Sequence, residues 1–275
     1  QQGNVLDYGA YYLTNSEKLR KEAQKVLADK IRKFKVTLLS IGNGTASYET
    51  EQFASTMIEE EKLDCHYIIT NEAGASVYSA SKLAIDELPD LDVTIRGAVS
   101  IARRVQDPLA ESVKIDPKSI GVGQYQHDVN QKQLTHTLDQ VVETVVNHVG
   151  VELNTASPAI LQHIAGISST VAKNIVAFRQ DNGGFTSRKQ LLKVPRLGPA
   201  AFTQCAGFLR LNGANNPLDN TSVHPESYEL AERIIGELGF TLKDLQDKSQ
   251  LEALQVKLPL VDVDKMAHKL SLIHI

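Results

Sequence analysis

The chain has 275 residues, 42% of them hydrophobic and 23% charged, which predicts a soluble globular protein with room for about two domains. Its net charge of -4 excludes a protein that coats nucleic acid or an anionic membrane with its whole surface. Cys65 and Cys205 stand far apart without a CxxC or Cys/His cluster, so we expect neither disulfides nor a zinc site, as in a reducing cytoplasm. No apolar run approaches the ~20 residues of a membrane span.

Strand-like and helix-like segments alternate over the first 126 residues. The strand-like segments are NVLDYGAYYL, KVTLLSIGNG and CHYIITNEAGAS, and the second of these is a short apolar run that suits a buried strand. The helix-like segments are SEKLRKEAQKVLADKIRKF, SYETEQFASTMIEEEK and VYSASKLAIDELP, with Ser47 as the expected N-cap of the second. This alternation predicts an α/β domain over residues 1–126 with a partly parallel sheet.

The sequence becomes helical after Gln126. The segment QKQLTHTLDQVVETVVNHVG has apolar residues at helical spacing and predicts a long connecting helix over residues 127–150. Two further helical regions are expected, over 151–212 and 213–268. The last residues, 269–275, read KLSLIHI and look unlike the periodic sequence before them, so we expect a non-native tail there. The chain also begins without methionine, and we expect it to be a fragment.

Two similar segments follow each other in the region 151–212. Placing Ile164 over Val194 aligns IAGISSTVA with VPRLGPAAF, thirty residues apart. Each segment then shows the end of an apolar helix, a tight turn, an apolar residue and the start of a second helix. The pattern resembles the helix-hairpin-helix family, in which two glycines flank the apolar residue of the turn. Here one glycine remains in each copy, Gly166 in the first and Gly198 in the second.

The conformation of such a turn allows a phosphate to approach the backbone closely. Turn glycines adopt backbone angles that are costly for other residues and let the backbone come close to a ligand. The following helix begins with unpaired N–H groups and the positive end of its dipole, which suit an anion. We therefore expect the amides around Leu197 and Gly198 to face a phosphate, with Arg196 adding charge. The alternative is a pair of helical hairpins that only pack within the protein and bind no phosphate.

The basic residues support binding. Residues 151–212 contain seven basic and two acidic residues, a net charge of +5 in a chain that is otherwise acidic. Aromatic residues are scarce, at 5%, so recognition of the phosphate backbone fits better than base stacking. The residues predicted to bind nucleic acid are Gly166, Ile167, Ser168, Ser169, Lys173, Lys189, Lys193, Arg196, Leu197 and Gly198.

A wider resemblance covers residues 4 to about 239. The segments IGNGTASYETE, NEAGASVYSAS, LDVTIRGAVSIARRVQDPLAESVKIDPKSIGVGQYQHDV and QLLKVPRLGPAAFTQCAGFLRL, in this order, resemble the Tex family of transcription accessory proteins. The resemblance implies a YqgF-type, ribonuclease-H-like α/β domain over 1–126 that lacks its first strand. A paired helix-hairpin-helix module over 151–212 and a truncated helical region over 213–268 would follow. Tyr48 stands where that family usually has a basic residue.

A ribonuclease-H-like domain raises a second hypothesis, a metal-dependent nuclease. Such enzymes hold two magnesium ions roughly 4 Å apart between clustered carboxylates. Candidate carboxylates are Glu49, Glu51, Glu72 and Asp128. Each also has a structural interpretation, because Glu49 and Glu51 suit the first turn of a helix, Glu72 a turn, and Asp128 a helix cap. The resemblance favours no enzymatic activity, so we assign no catalytic residue, metal or cofactor.

Other features leave alternatives open. Arg103 and Arg104 lie on an expected helix that faces either nucleic acid or acidic neighbours. The sequence thus predicts an α/β plus all-α protein that binds RNA, and possibly DNA, in the cytoplasm, in contact with the transcription or translation machinery and with no membrane. A third hypothesis is a protein–protein scaffold, whose binding would be insensitive to salt.

Overall fold

The structure is a computed structural model of the chain, and it describes residues 3–13 and 16–258. The tail predicted at 269–275 lies outside the described residues, as does the end of the region predicted over 213–268. Contacts within the chain divide it into two units, residues 1–135 and 136–275. The first unit is α/β and the second is almost entirely helical, which confirms the predicted fold class.

The first unit alternates helices with a small parallel sheet. Its described elements are α1 (Glu17–Phe34), β1 (Leu38–Gly42), α2 (Ser47–Glu60), β2 (His66–Thr70), α3 (Ala75–Ala80), α4 (Lys82–Glu87), α5 (Val93–Gln106), α6 (Pro108–Ser112) and α7 (Pro117–Ile120). Strand β1 pairs in parallel with β2, from Leu38 opposite His66 to Gly42 opposite Thr70. A core of α1 and α2 side chains, including Ile31, Phe53 and Met57, packs beside the sheet.

The sheet differs from the expectation in two respects. Residues 4–13 were predicted as a strand, but they form no strand, because their backbone finds no ladder partner among the described residues. Side chains hold this segment instead: Asp7 pairs with Lys30 at 3.0 Å. The prediction of a buried strand was also wrong, since Ile41 is the one buried residue of β1 and β2 is mostly exposed. A sheet of only two strands buries little of the surface of either strand.

Helix boundaries depart from the prediction where backbone hydrogen bonds decide them. Ser47 was expected to cap α2, but its N–H donates to the carbonyl of Gly44 at 3.1 Å and it already belongs to the first turn. The helix expected after residue 76 is two short helices, α3 and α4. They are separated at Ser81, whose extended backbone ends the first and whose hydroxyl accepts from the Ala84 N–H to cap the second.

The arginines of α5 face acidic neighbours rather than an open surface. Arg103 lies 3.2 Å from Glu87, and Lys114 pairs with both Glu87, at 3.0 Å, and the buried Glu111, at 2.6 Å. Arg104 donates to the carbonyl of Asn71 at 2.8 Å. Taking charges out of water is costly unless they are paired, so this network accounts for the charges of Arg103 and Lys114 without a ligand. Nε and Nη2 of Arg104, in contrast, are buried without a hydrogen-bond partner among the described residues.

The second unit begins within the long connecting helix, α8 (Gln131–Val149). Asn130 caps this helix, accepting from the N–H groups of Lys132 and Gln133, so the interpretation of Asp128 as the cap was wrong. Short elements follow: β3 (Val151–Glu152), α9 (Pro158–Leu161), α10 (Ser169–Asp181), a 3-10 helix at Arg188–Lys193, α11 (Pro199–Cys205), a 3-10 turn at Ala206–Phe208, β4 (Leu209–Arg210), 3-10 turns at Pro217–Asn220 and Pro225–Ser227, α12 (Tyr228–Glu237), a 3-10 helix at Leu242–Gln246 and α13 (Lys248–Lys257).

A small parallel pairing joins the two ends of the hairpin region. Val151 of β3 lies opposite Leu209 of β4, and the Leu153 N–H donates to the Arg210 carbonyl at 2.8 Å. Strands were not expected after residue 126, and these two are too short to give a period-2 pattern in the sequence.

Arg188 is a fully buried cation at 0% exposure, and it connects the second hairpin to the helices that follow. Its guanidinium donates to the carbonyls of Leu209, Thr221 and Val223 and to the Tyr228 hydroxyl. Tyr228 in turn donates to Asp219, which also accepts from the Arg188 backbone N–H. Buried polar groups need such partners, because an unpaired one loses its hydration without compensation.

We expect Arg188→Met to lower the free energy of unfolding by about 3 kcal/mol or more, because it leaves several buried acceptors unpaired. Lys189→Met is the matched control, since Lys189 is exposed and a surface change usually costs less than about 0.5 kcal/mol. Urea unfolding followed by circular dichroism measures both. Equal stabilities of the two variants would show that the network does not hold these elements together.

Candidate nucleic-acid interface

The first hairpin consists of α9, a turn over residues 164–168, and α10. Gly166 has φ of 80°, in the left-handed region that favours glycine. The N–H of Ile167 donates to the Ile164 carbonyl at 3.0 Å and closes the turn. Ser168 then caps α10, its hydroxyl accepting from the Val171 N–H. The sequence SSTVA therefore begins a helix one residue after the turn.

The second hairpin repeats this backbone thirty residues later. The Leu197 N–H donates to the Val194 carbonyl at 3.1 Å, as Ile167 does to Ile164. Arg196 takes the left-handed position with φ of 66°, where Gly166 stands in the first turn. Gly198 has φ of -80° and ψ of 174°, close to the values of -76° and 163° at Ser168, the corresponding cap. The alignment of Ile164 with Val194 is thus confirmed.

One expectation about the glycines was wrong. Gly198 does not occupy a left-handed conformation, and a Cβ added to it would meet no atom within 4 Å. The strained position belongs to Arg196, at a cost of about 1 to 2 kcal/mol for an L-residue in that region. A Cβ on Gly166, in contrast, would lie 2.8 Å from the Gln204 Cβ and 3.2 Å from the Ala201 carbonyl oxygen.

The apolar turn residues point inward. Ile167 and Leu197 are 5% and 3% exposed, so their side chains anchor the turns in the core. Their N–H groups are used inside the turns, which corrects the expectation that the Leu197 amide faces a phosphate. The amides that lack an intrahelical acceptor include those of Ser169 and Thr170 in α10 and of Ala200 in α11. These three residues are exposed.

The seven basic residues of the region separate into two groups. Arg179, Arg188 and Arg210 are largely buried, and each donates to backbone carbonyls, as Arg179 does to Leu153 and Ala156. Burial lowers the pKa of Arg179 and Arg210. The other four are exposed: Lys173, Lys189, Lys193 and Arg196. All four exposed cations are among the predicted binding residues, whereas none of the three buried arginines is.

Polar side chains hold both turns, and the sequence analysis missed them. Asn147 of α8 donates to the His163 carbonyl at 3.0 Å and accepts from the Ala165 N–H at 3.2 Å. Asn174 of α10 donates to the Pro195 carbonyl at 2.8 Å. Gln204 stands thirty residues after Asn174 and lies against Gly166. Extending the thirty-residue alignment into the second helices would have identified Asn174 and Gln204 as a pair.

The nuclease carboxylates do not assemble. Glu72 lies over the end of β1, where a Cβ on Gly42 or Gly44 would collide with its carboxylate. Glu51 accepts a hydrogen bond from Tyr67, while Glu49 and Asp128 are exposed. Among the described residues no group of three or more His, Cys, Asp or Glu side chains is placed to hold a metal ion. The four candidate carboxylates, all among the described residues, therefore do not fit a two-magnesium centre.

No helix in residues 3–13 and 16–258 is long and apolar enough to cross a membrane.

Comparison with protein families finds three matches along the chain. Residues 1–106 match a Tex protein YqgF-like domain, residues 146–210 a helix-hairpin-helix motif, and residues 216–269 an HHH domain. The first match covers the parallel sheet, and the second covers both turns described above.

Three curated relatives are similar to most of the chain. The chain is 59% identical to Protein YhgF of Escherichia coli over 83% of its length, and 53% identical to the Transcriptional accessory protein Tex of Neisseria gonorrhoeae over 88%. It is 41% identical to the human S1 RNA-binding domain-containing protein 1 over 97%. These matches cover 30%, 32% and 32% of the relatives, so the chain spans about a third of their length.

The two turn glycines should respond differently to substitution. Gly166→Ala should lower the free energy of unfolding by about 1 to 3 kcal/mol, because it combines a left-handed backbone with a collision against α11. Gly198→Ala should change it by less than about 1 kcal/mol, since its backbone angles suit alanine and the space is open. Chemical denaturation of both variants checks this. A larger loss at Gly198 than at Gly166 would contradict the assignment of the left-handed position.

Proposed function

Because the chain belongs to the Tex family, we propose that it binds the phosphate backbone of RNA, and also of DNA, through its two helix-hairpin-helix units. The observation that carries this proposal is the matched pair of turns, which share one backbone conformation and lie in a region whose exposed cations are Lys173, Lys189, Lys193 and Arg196. Contacts of this kind position a nucleic acid without reading its bases. Binding is therefore expected to tolerate many sequences.

Each hairpin contributes in a different way. In the first, the exposed amides of Ser169 and Thr170 begin a thirteen-residue helix and suit a phosphate oxygen, with Lys173 one turn further along. In the second, Arg196 is exposed and charged and stands two residues before Gly198, where the space that a Cβ would occupy is open. Arginine can donate two parallel hydrogen bonds to a phosphate, so the second turn offers charge where the first offers amides.

The relatives' names support a role in transcription and the binding of RNA. One is a transcriptional accessory protein, and another is named for an S1 RNA-binding domain. We propose a non-enzymatic, accessory role in the cytoplasm, in contact with the transcription or translation machinery. The buried, unpaired thiols of Cys65 and Cys205 suit such a reducing compartment.

Salt should weaken binding in proportion to the number of phosphates contacted. If the four exposed cations each neutralise one phosphate, log Kd against log salt should have a slope of about 3 in magnitude on single-stranded RNA, and Arg196→Ala should reduce it by about 0.7. Fluorescence anisotropy across a salt series measures this, with the exposed Lys25→Ala of α1 as the control that leaves the slope unchanged. A flat salt response of the parent chain would favour the protein–protein scaffold instead.

Gly198→Val separates a binding hairpin from a hairpin that merely packs. The space around a Cβ at this position is open and φ is compatible with an L-residue, so the melting temperature should stay near that of the parent. RNA affinity should fall, because the side chain covers backbone that a phosphate would approach. Retention of full affinity by a folded Gly198→Val protein would argue for packing alone.

We also expect no cleavage of single-stranded, duplex or branched nucleic acids in the presence of magnesium or manganese. The described carboxylates do not converge, and two-metal cleavage requires that they do. Gel electrophoresis of labelled substrates after prolonged incubation tests this. Cleavage that disappears in Glu72→Gln would establish the nuclease hypothesis and overturn the accessory role.

A further inference from the structure

The second turn is held by a side chain from the first hairpin. Asn174, half-buried on α10, donates through Nδ2 to the carbonyl of Pro195 at 2.8 Å. Pro195 directly precedes Arg196, the residue with φ of 66°. An arginine keeps a left-handed backbone only when its surroundings favour that conformation over the alternatives.

Each hairpin supports the turn of the other, but the second turn depends on this support more than the first. Gln204 of α11 lies against Gly166, so each second helix contacts the turn of the other hairpin. Gly166 is a glycine and adopts its φ at little cost, and Asn147 also holds the first turn. For the second turn, Asn174 is the side chain that hydrogen-bonds the backbone of residues 194–198, as far as the described residues show.

We propose that Asn174 is a positioning residue for nucleic-acid binding, which fixes the turn at Pro195 so that Arg196 keeps its left-handed conformation and presents its guanidinium to a phosphate. This inference rests on the proposed function of the second turn. It requires that Asn174 acts through Arg196 and does not itself contact the nucleic acid. Loss of Asn174 should therefore matter only while Arg196 is present.

A double-mutant cycle tests whether Asn174 acts through Arg196. Asn174→Ala and Arg196→Ala should each weaken binding of the 275-residue chain to a mixed-sequence single-stranded RNA, Asn174→Ala by about three- to tenfold. The double variant should bind no more weakly than Arg196→Ala alone, because the braced side chain is already gone. All affinities are measured by anisotropy at one salt concentration, at a temperature well below the melting point of every variant.

Two further variants distinguish positioning from a general effect on the helix. Asn182→Ala is the matched control, since Asn182 ends the same helix and donates to the Phe178 carbonyl, away from either turn; its affinity should equal that of the parent. Asn174→Gln keeps an amide donor of the kind found at Gln204 and should restore affinity toward the parent value. A folded Asn174→Gln that binds as weakly as Asn174→Ala would overturn the role of the donor.

The outcomes separate this inference from the proposed function. If Arg196→Ala weakens binding but the effect of Asn174→Ala is absent or simply adds to it, the positioning role is wrong and the phosphate contact at Arg196 stands. If Arg196→Ala leaves affinity unchanged, the phosphate role of the second turn fails, and the inference fails with it.

Discussion

One left-handed residue in each turn is the constraint on which the rest of the hairpin region depends. It reverses the chain within five residues, so that Ile167 or Leu197 enters the core and the next helix begins two residues later at an exposed residue. Glycine meets this constraint at position 166 with no strain and with no room for a side chain. Arginine meets it at 196 only with help from its neighbours, and in exchange a charged side chain stands at the centre of the turn.

The hairpins could be predicted from the sequence because their pattern is local. Turn, apolar anchor and helix start lie within a few residues, and the thirty-residue offset aligned Ile164 with Val194 correctly. The same reasoning identified α1 and α8, whose apolar periodicity extends over several turns, and β1 and β2, which are short strand-like segments followed by turn residues. What it misplaced in the turn was the strain, because sequence alone associates a left-handed backbone with glycine and both turns contain one.

Properties that depend on distant partners could not be predicted. Charge counting gave seven cations to residues 151–212, but Arg179 and Arg188 donate to carbonyls more than twenty residues away, which only folding brings near, and Arg210 donates to the nearby Gly207 carbonyl. Residues 4–13 have the composition of a strand, yet a strand needs a neighbour to pair with. Arg103 belongs to an ion-pair network because Glu87 comes from α4 and Lys114 from the turn that follows α6. The order of the candidate carboxylates along the chain likewise suited a nuclease, but the fold does not bring them together.

The buried Arg188 has a consequence for how the second unit can be divided. The family matches at 146–210 and 216–269 suggest two modules separated by a short joint, yet the acceptors of Arg188 lie on both sides of that joint, at Leu209 and at Thr221, Val223 and Tyr228. A protein cut at the joint would leave a buried guanidinium without three of its four hydrogen-bond acceptors. The segment that matches a helix-hairpin-helix motif is therefore smaller than the segment that must fold together.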